Sequence, residues 1–176
     1  SLIEKINNLI IVGAMANNFI EYKNLKVGKS LVENNTKEVI EKIYKKAVEN
    51  NCEIIVPEDC MVGTSFEGEG KNKNLNKIKD NEIILDIGPK TISRIIKKIE
   101  QSKTVLWNGP AGYFENKNFA NGTRSIAKTI SKNTLEGSLI SILGGGDTLA
   151  AINKSENELS FSHLSTAGGA FLEYLE

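Results

Sequence analysis

The chain has 176 residues, with 22 Lys plus Arg set against 22 Asp plus Glu, one His and two Cys. That length suits one domain with a core of its own. The balanced charge offers no basic footprint for nucleic acid, and one His with two Cys is too small a ligand set for structural zinc. No apolar run approaches the roughly 20 residues of a membrane span, and no basic-then-apolar leader opens the chain. Cys52 and Cys60 form neither a C-x-x-C nor a disulfide framework, which reads as a reducing, cytoplasmic setting. The chain opens on Ser1 rather than Met and closes on Glu176 inside a helical pattern, which leads us to expect a piece of a longer protein.

In chain order, a first apolar run at Leu9–Val12 reads as a strand ending in Gly13-Ala14. A helix is expected over Thr36–Asn50, capped by Thr36, with Val39, Ile40, Ile43, Tyr44, Ala47 and Val48 on its apolar face. Glu53–Val56 is the next strand, and the polar stretch Glu67–Asn81 is expected to be a mobile surface loop. Ile83–Asp86 is a strand leading into Gly88-Pro89 and a helix over Ile92–Glu100, with Pro89 where a missing N–H is harmless. Thr104–Trp107 is a strand, Phe119–Ile130 a helix, and Leu139–Leu143 a strand. Another helix begins near Asp147, a weaker strand covers Phe161–Leu164, and a last helix covers Ala170–Leu175. Ile/Val/Leu-rich strands that barely alternate are those buried on both faces. The expected fold is therefore α/β: one domain with a parallel β-sheet flanked by helices, a Rossmann-like three-layer sandwich.

Four of these strands run into glycine. In a parallel sheet the strand ends share one edge, and ligands bind along it. The strongest signal is Gly144-Gly145-Gly146-Asp147, between a strand and a helix start. Three N–H groups without Cβ atoms can turn toward an anion, and the helix aims its positive end at the same place. Asp147 fits beside a phosphate if it holds Mg²⁺ together with the phosphate oxygens. The same run also reads as a tight turn with Asp147 as an N-cap. No G-x-x-x-x-G-K-[ST] and no G-x-G-x-x-G is present, which excludes a P-loop and disfavours a dinucleotide site. Trp107 reads as buried packing, His163 as structural rather than a general base, and Lys29 and Arg124 as solvated or locally paired. Phe66 and Leu31 read equally well as plain core.

Several strings resemble the phosphoglycerate kinase family over nearly the whole chain: Gly13-x-Met15-Ala16-Asn17, Val27-Gly28-Lys29-Ser30-Leu31, Leu85-Asp86-Ile87-Gly88-Pro89, Trp107-Asn108-Gly109-Pro110-x-Gly112-x-Phe114-Glu115, Gly144-Gly145-Gly146-Asp147-Thr148 and Phe161-Ser162-His163-x-Ser165-Thr166. The resemblance is to the C-terminal, nucleotide-binding half of that two-domain enzyme. It implies ATP or ADP as substrate with Mg²⁺, and transfer of a phosphoryl group between 1,3-bisphosphoglycerate and ADP in glycolysis. It also implies residue roles. Asp147 meets the metal and nucleotide phosphates, with Gly144, Gly145, Gly146 and Thr148 beneath them. Glu115 holds the ribose hydroxyls, Asn108 and Pro110 lie near the nucleotide, and Gly13, Leu31, Phe66, Leu85 and Gly112 line the adenine cleft. Gly168 and Gly169 form the helix N-terminus facing the transferred phosphoryl group.

The sequence departs from the family pattern at Ala14, Ile84 and Ala167, where glycine is usual. Side chains in a slot built for glycine lead us to expect weaker nucleotide binding or a shifted base preference. The family's Gly-Gly-x-Lys-Val segment matches nothing in this sequence, nor does its N-terminal domain, which carries the phosphoglycerate. The chain alone is thus expected to be a monomer that binds nucleotide without turnover. Two other functions fit the pattern: a nucleotide-binding regulatory or assembly module, and an unrelated doubly wound enzyme with another cofactor.

Overall fold

The computed structural model describes residues 2–153 and 158–166. The helix expected at Ala170–Leu175, and the Ala167, Gly168 and Gly169 positions, lie outside them. The elements run β1 (Asn8–Ile10), α1 (Gly13–Tyr22), α2 (Lys37–Glu49), β2 (Glu53–Ile55), β3 (Asp59–Gly63), β4 (Lys71–Asn74), β5 (Ile83–Ile87), α3 (Pro89–Glu100), β6 (Thr104–Asn108), α4 (Asn121–Leu135), β7 (Ile140–Gly144), α5 (Gly146–Asn153) and β8 (His163–Ser165).

The α/β class holds, with parallel strands flanked by helices. β1 pairs in parallel with β2, and β6, β7 and β8 form a parallel set in that order. Between them in sequence lies an antiparallel set, β4-β3-β5. This set corrects the expected loop at Glu67–Asn81, which instead holds β4 and a single 3-10 turn at Leu75–Lys77. β4 reads Lys-Asn-Lys-Asn and is mostly exposed, so no apolar alternation announces it. Its hold comes from the ladder to β3 and from Lys73, whose ammonium meets the Glu82 carboxylate at 2.6 Å with both side chains largely buried.

The main core lies between the sheet and the pair α3 and α4. Ile87, Trp107 and Leu143 from the strands meet Ile92, Ile95 and Ile99 from α3 and Ile126, Ala127 and Ile130 from α4. α3 follows its expected spacing, with Gly88 as N-cap and Pro89 at the first helical position. α2 buries Ile40 and Ala47 and half-buries Ile43 and Tyr44, the i, i+3, i+4, i+7 stripe. Val39 and Val48, one residue outside that stripe on either side, are exposed instead. Thr36 occupies the N-cap position, but its side chain makes no capping bond; only its carbonyl accepts from Ile40.

Two helices take their caps from distant strands. Asp59, on β3, accepts bonds from the backbone N–H groups of Lys90 and Thr91 and from the Thr91 hydroxyl at 2.8 Å, at the head of α3. Asp86, on β5, accepts from the Gly122 N–H at 2.8 Å and from Asn121 at the head of α4. Gly88 therefore does not belong to a ligand-facing row of glycines. A Cβ there would lie 2.3 Å from the Asp59 carboxyl carbon, so this glycine makes room for a buried carboxylate.

Candidate nucleotide-phosphate site

The parallel register brings Asn108, Gly144 and Ser165 side by side at the ends of β6, β7 and β8. Each of the first two strands leaves its end through a glycine in the left-handed region: Gly109 at φ +95° and Gly145 at φ +94°. The Trp107 indole N–H donates to the Gly109 carbonyl at 2.7 Å, and the Gly109 N–H donates to the Thr148 hydroxyl at 2.7 Å. The loop after β6 is thus fastened to the first turn of α5. Asn108 reaches the same place, since a Cβ on Gly145 would stand 2.6 Å from its Oδ1.

The glycine run does not offer three free N–H groups in the way its sequence suggests. Gly144 is the last residue of β7, and the Gly145 N–H donates to the Ser165 carbonyl at 3.2 Å. The Gly145 carbonyl accepts from Leu149, which opens the helix and makes Gly145, not Asp147, the cap residue. The donors left without an intrahelical partner are those of Gly146, Asp147 and Thr148, where the helix dipole is positive. Gly146 and Asp147 are exposed and Thr148 is buried. A Cβ on Gly146 would meet nothing within 4 Å, and its φ is not left-handed. Among the described residues, nothing therefore requires glycine at position 146.

A second group of residues joins this one through Pro110. Gly13, at the start of α1, has φ +66°, and a Cβ there would come within 2.9 Å of the Pro110 carbonyl. The chain then passes through Gly112, whose Cβ position faces Asp86 and the Leu85 carbonyl, and Tyr113 donates its N–H to that carbonyl at 2.7 Å. The Tyr113 ring meets Phe66 edge-on at 5.0 Å, and the Asn116 amide donates to the Phe66 carbonyl at 2.9 Å. Glu115 lies between Tyr113 and Asn116 and is exposed. Leu31 follows Ser30, whose hydroxyl accepts from the Ile84 N–H at 2.8 Å. Leu31 is 73% exposed and Phe66 49%, so neither is a core residue. Trp107 is core, as its sequence context suggests. Ile84 packs on the small cluster of Ile20, Val27, Cys60 and Val62.

Among the described residues, no group of three or more His, Cys, Asp or Glu is arranged to hold a metal. A resident metal centre does not fit this donor set. One exposed carboxylate at a helix N-terminus fits Mg²⁺, which takes one or two carboxylates when substrate phosphates supply further ligands. Burial pushes the Cys60 thiol up to about 12, which leaves it inert as a nucleophile. Sequence reasoning missed Tyr113 and Asn116, which hold Phe66, and the capping roles of Asp59 and Asp86.

Parallel strand ends, left-handed glycines and a helix N-terminus over them define an α/β domain of the class that binds its ligand at the sheet edge. Comparison with known proteins narrows this. The whole chain, residues 1–176, matches the phosphoglycerate kinase family. It is 45% identical over 176 residues to the phosphoglycerate kinase of Wolbachia pipientis subsp. Culex pipiens, covering 99% of this chain and 44% of that protein. With the Xanthobacter autotrophicus enzyme it shares 42% identity over 178 residues, covering 100% of this chain and 45% of that protein. The phosphoglycerate kinase structure from Coxiella burnetii superposes with a TM-score of 0.90 at 40% identity, covering 99% of this chain and 44% of that one. The Pyrococcus horikoshii structure gives 0.73 at 30% identity, over 97% of this chain and 42% of that one. This chain belongs to the phosphoglycerate kinase family, and it spans under half the length of these relatives.

Proposed function

We propose that this chain is the nucleotide-binding, C-terminal half of a phosphoglycerate kinase, and that the strand ends of β6, β7 and β8 hold the phosphates of ADP or ATP. The observation that carries the reading is Gly146. It is a glycine that packing among the described residues does not require, at the N-terminus of α5 and beside exposed Asp147. A ligand that must approach the backbone closely accounts for it. Gly145, Gly146 and Thr148 then present the helix end to the phosphates, and Gly144 sets the strand from which it starts. Asp147 meets Mg²⁺, which supplies charge neutralisation for the phosphoryl oxygens. Glu115 accepts from the ribose hydroxyls. Asn108 and Pro110 border the nucleotide, and Gly13, Leu31, Phe66, Leu85 and Gly112 form the base slot.

The reaction assigned is transfer between 1,3-bisphosphoglycerate and ADP, giving 3-phosphoglycerate and ATP in cytoplasmic glycolysis. Phosphoryl transfer depends on positioning and charge neutralisation more than on covalent participation by the protein. Gly168 and Gly169, which lie outside the described residues, are assigned a role toward the transferred phosphoryl group. The carboxylate substrate belongs to the part of the relatives that this chain does not span. Both substrates must be held in line for the step, so the chain alone, a monomer, binds nucleotide and does not turn over. A coupled assay of ATP formation from 1,3-bisphosphoglycerate should stay at background; clear turnover by the 176 residues alone would refute this.

The binding reading is tested by calorimetric titration with ADP, with and without Mg²⁺. The wild-type chain should bind Mg-ADP more tightly than ADP. Asp147→Ala should lose about tenfold of that Mg²⁺ enhancement, as expected for a charge-assisted contact worth on the order of 1.4 kcal/mol. An unchanged Mg²⁺ dependence in Asp147→Ala would remove the metal role from this residue.

A further inference from the structure

Leu31 presents an unusual combination: a large aliphatic side chain almost three-quarters exposed, on a backbone fastened from both sides. On one side, Asn17 of α1, 3% exposed, donates from its amide nitrogen to the Leu31 carbonyl at 3.0 Å. One residue on, Asn18 Oδ1 accepts from the Glu33 N–H at 2.8 Å. On the other side, the Ser30 hydroxyl accepts from Ile84 of β5 at 2.8 Å, and the Lys29 N–H donates to the Glu82 carbonyl at 2.7 Å. Gly28 permits that approach, since a Cβ there would fall 2.2 Å from the Glu82 carbonyl oxygen. Glu82 is itself anchored by Lys73.

Such stitching contributes nothing to burial of Leu31, which stays in solvent. It fixes where the side chain stands. Asn17 shows how strictly, because its Oδ1 is buried with no hydrogen-bond partner among the described residues. The amide is kept in its orientation by the single bond to Leu31, since the flipped form would set oxygen against oxygen. A fold that leaves a buried acceptor unpaired accepts its desolvation cost. Phe66 is the other exposed apolar side chain of the group and is held as firmly, by the Tyr113 ring and the Asn116 amide.

Resting on the nucleotide reading above, we propose that Asn17 and Ser30 are positioning residues that hold Leu31 in place as one wall of the base slot. They act on the base half of the ligand through Leu31 and not on its phosphates.

The test uses this 176-residue chain and two ligands, each titrated directly: Mg-ADP, and Mg-tripolyphosphate, which lacks base and ribose. Asn17→Leu and Ser30→Ala should each weaken ADP about fivefold while leaving tripolyphosphate unchanged. Asn17→Leu keeps the branched shape and removes the orphan oxygen along with the donor, and a thermal melt of the variant checks that the bulkier side chain is accommodated. In a Leu31→Ala background either change should have no further effect, because the wall they position is gone. Equal losses for both ligands, or losses that add in full to that of Leu31→Ala, would overturn the proposal. Wild-type chain that binds tripolyphosphate but not ADP would overturn it as well. Wild-type chain that binds neither ligand would overturn the nucleotide reading itself.

Discussion

Asp59→Ala is expected to lower the unfolding free energy by about 3–5 kcal/mol, the range for breaking a buried charged network by removing one partner. Asp59 is fully buried. Its carboxylate receives the N–H groups of Lys90 and Thr91 and the Thr91 hydroxyl, while that hydroxyl oxygen accepts from the Glu58 N–H. Gly88 precedes Pro89 and has no side chain to cap α3, so the capping oxygen must come from elsewhere. In the alanine variant those donors lose their acceptor inside the core, and the helix loses the negative charge at its positive end. Asp59→Asn should cost less, because one oxygen can still accept. Urea unfolding at neutral pH measures both. A loss under about 1 kcal/mol for the alanine variant would mean that water or a neighbouring group replaces the cap. Gly88→Ala is a check from the opposite direction, because its methyl would intrude on the carboxylate that Asp59→Ala removes.

Much of this architecture is legible in the residues because burial leaves a repeating trace. The isoleucines of α3 recur at 92, 95, 96 and 99 and pack as that spacing requires. The apolar runs at 104–107 and 139–143 become the parallel pair β6, one residue longer, and β7, one residue on, though each leaves its first residue exposed. What escapes lacks such a trace. β4 is an exposed Lys-Asn-Lys-Asn strand whose reason to exist is its partner β3. β3 itself mixes Asp59 and Gly63 among apolar residues, and its acid is there to cap a helix 30 residues away. α1 starts on Gly13 directly after β1, so the glycine that reads as a turn is already the first helical residue. Non-local pairing decides each of these, and single-chain periodicity does not carry it.

The site divides in the same way. The strand-end glycines of β6 and β7 are legible, because a left-handed backbone leaves few alternatives to glycine. The assignment of donors is not. It depends on β8, whose Ser165 carbonyl takes the Gly145 N–H and moves the open positions on to Gly146, Asp147 and Thr148. Glycine also has two meanings that sequence cannot separate. Gly88 and Gly122 leave room for buried carboxylates, whereas Gly146 leaves room for nothing among the described residues. Asn17 and Ser30 are likewise unremarkable in sequence, and only their bonds to Leu31 and Ile84 give them a role.

The pH dependence of stability should show the second buried acid. Burial raises the Asp86 carboxyl from 3.8 to about 7, overriding the backbone N–H groups of Gly122, Ile87 and Asn121 that favour its charged form. The folded state therefore holds a proton that the unfolded state has released. The stability this contributes is full below pH 3.8 and is lost as pH rises through about 7. At 1.36 kcal/mol for each pH unit, the contribution amounts to about 4 kcal/mol. Asp86→Asn cannot titrate, so its unfolding free energy should lack this component, and the difference between the two proteins should change by that amount between pH 4 and pH 8. Urea unfolding across that range isolates the effect, because every other titrating group is common to both proteins. A constant difference would mean that three N–H donors at the head of α4 outweigh burial and keep the carboxylate charged. Asp86 also lies against Gly112, in the loop that carries Pro110 and Glu115. Charging it places a carboxylate in the core, so loosening at high pH should begin where α4, Gly112 and β5 meet rather than at the exposed N-terminus of α5.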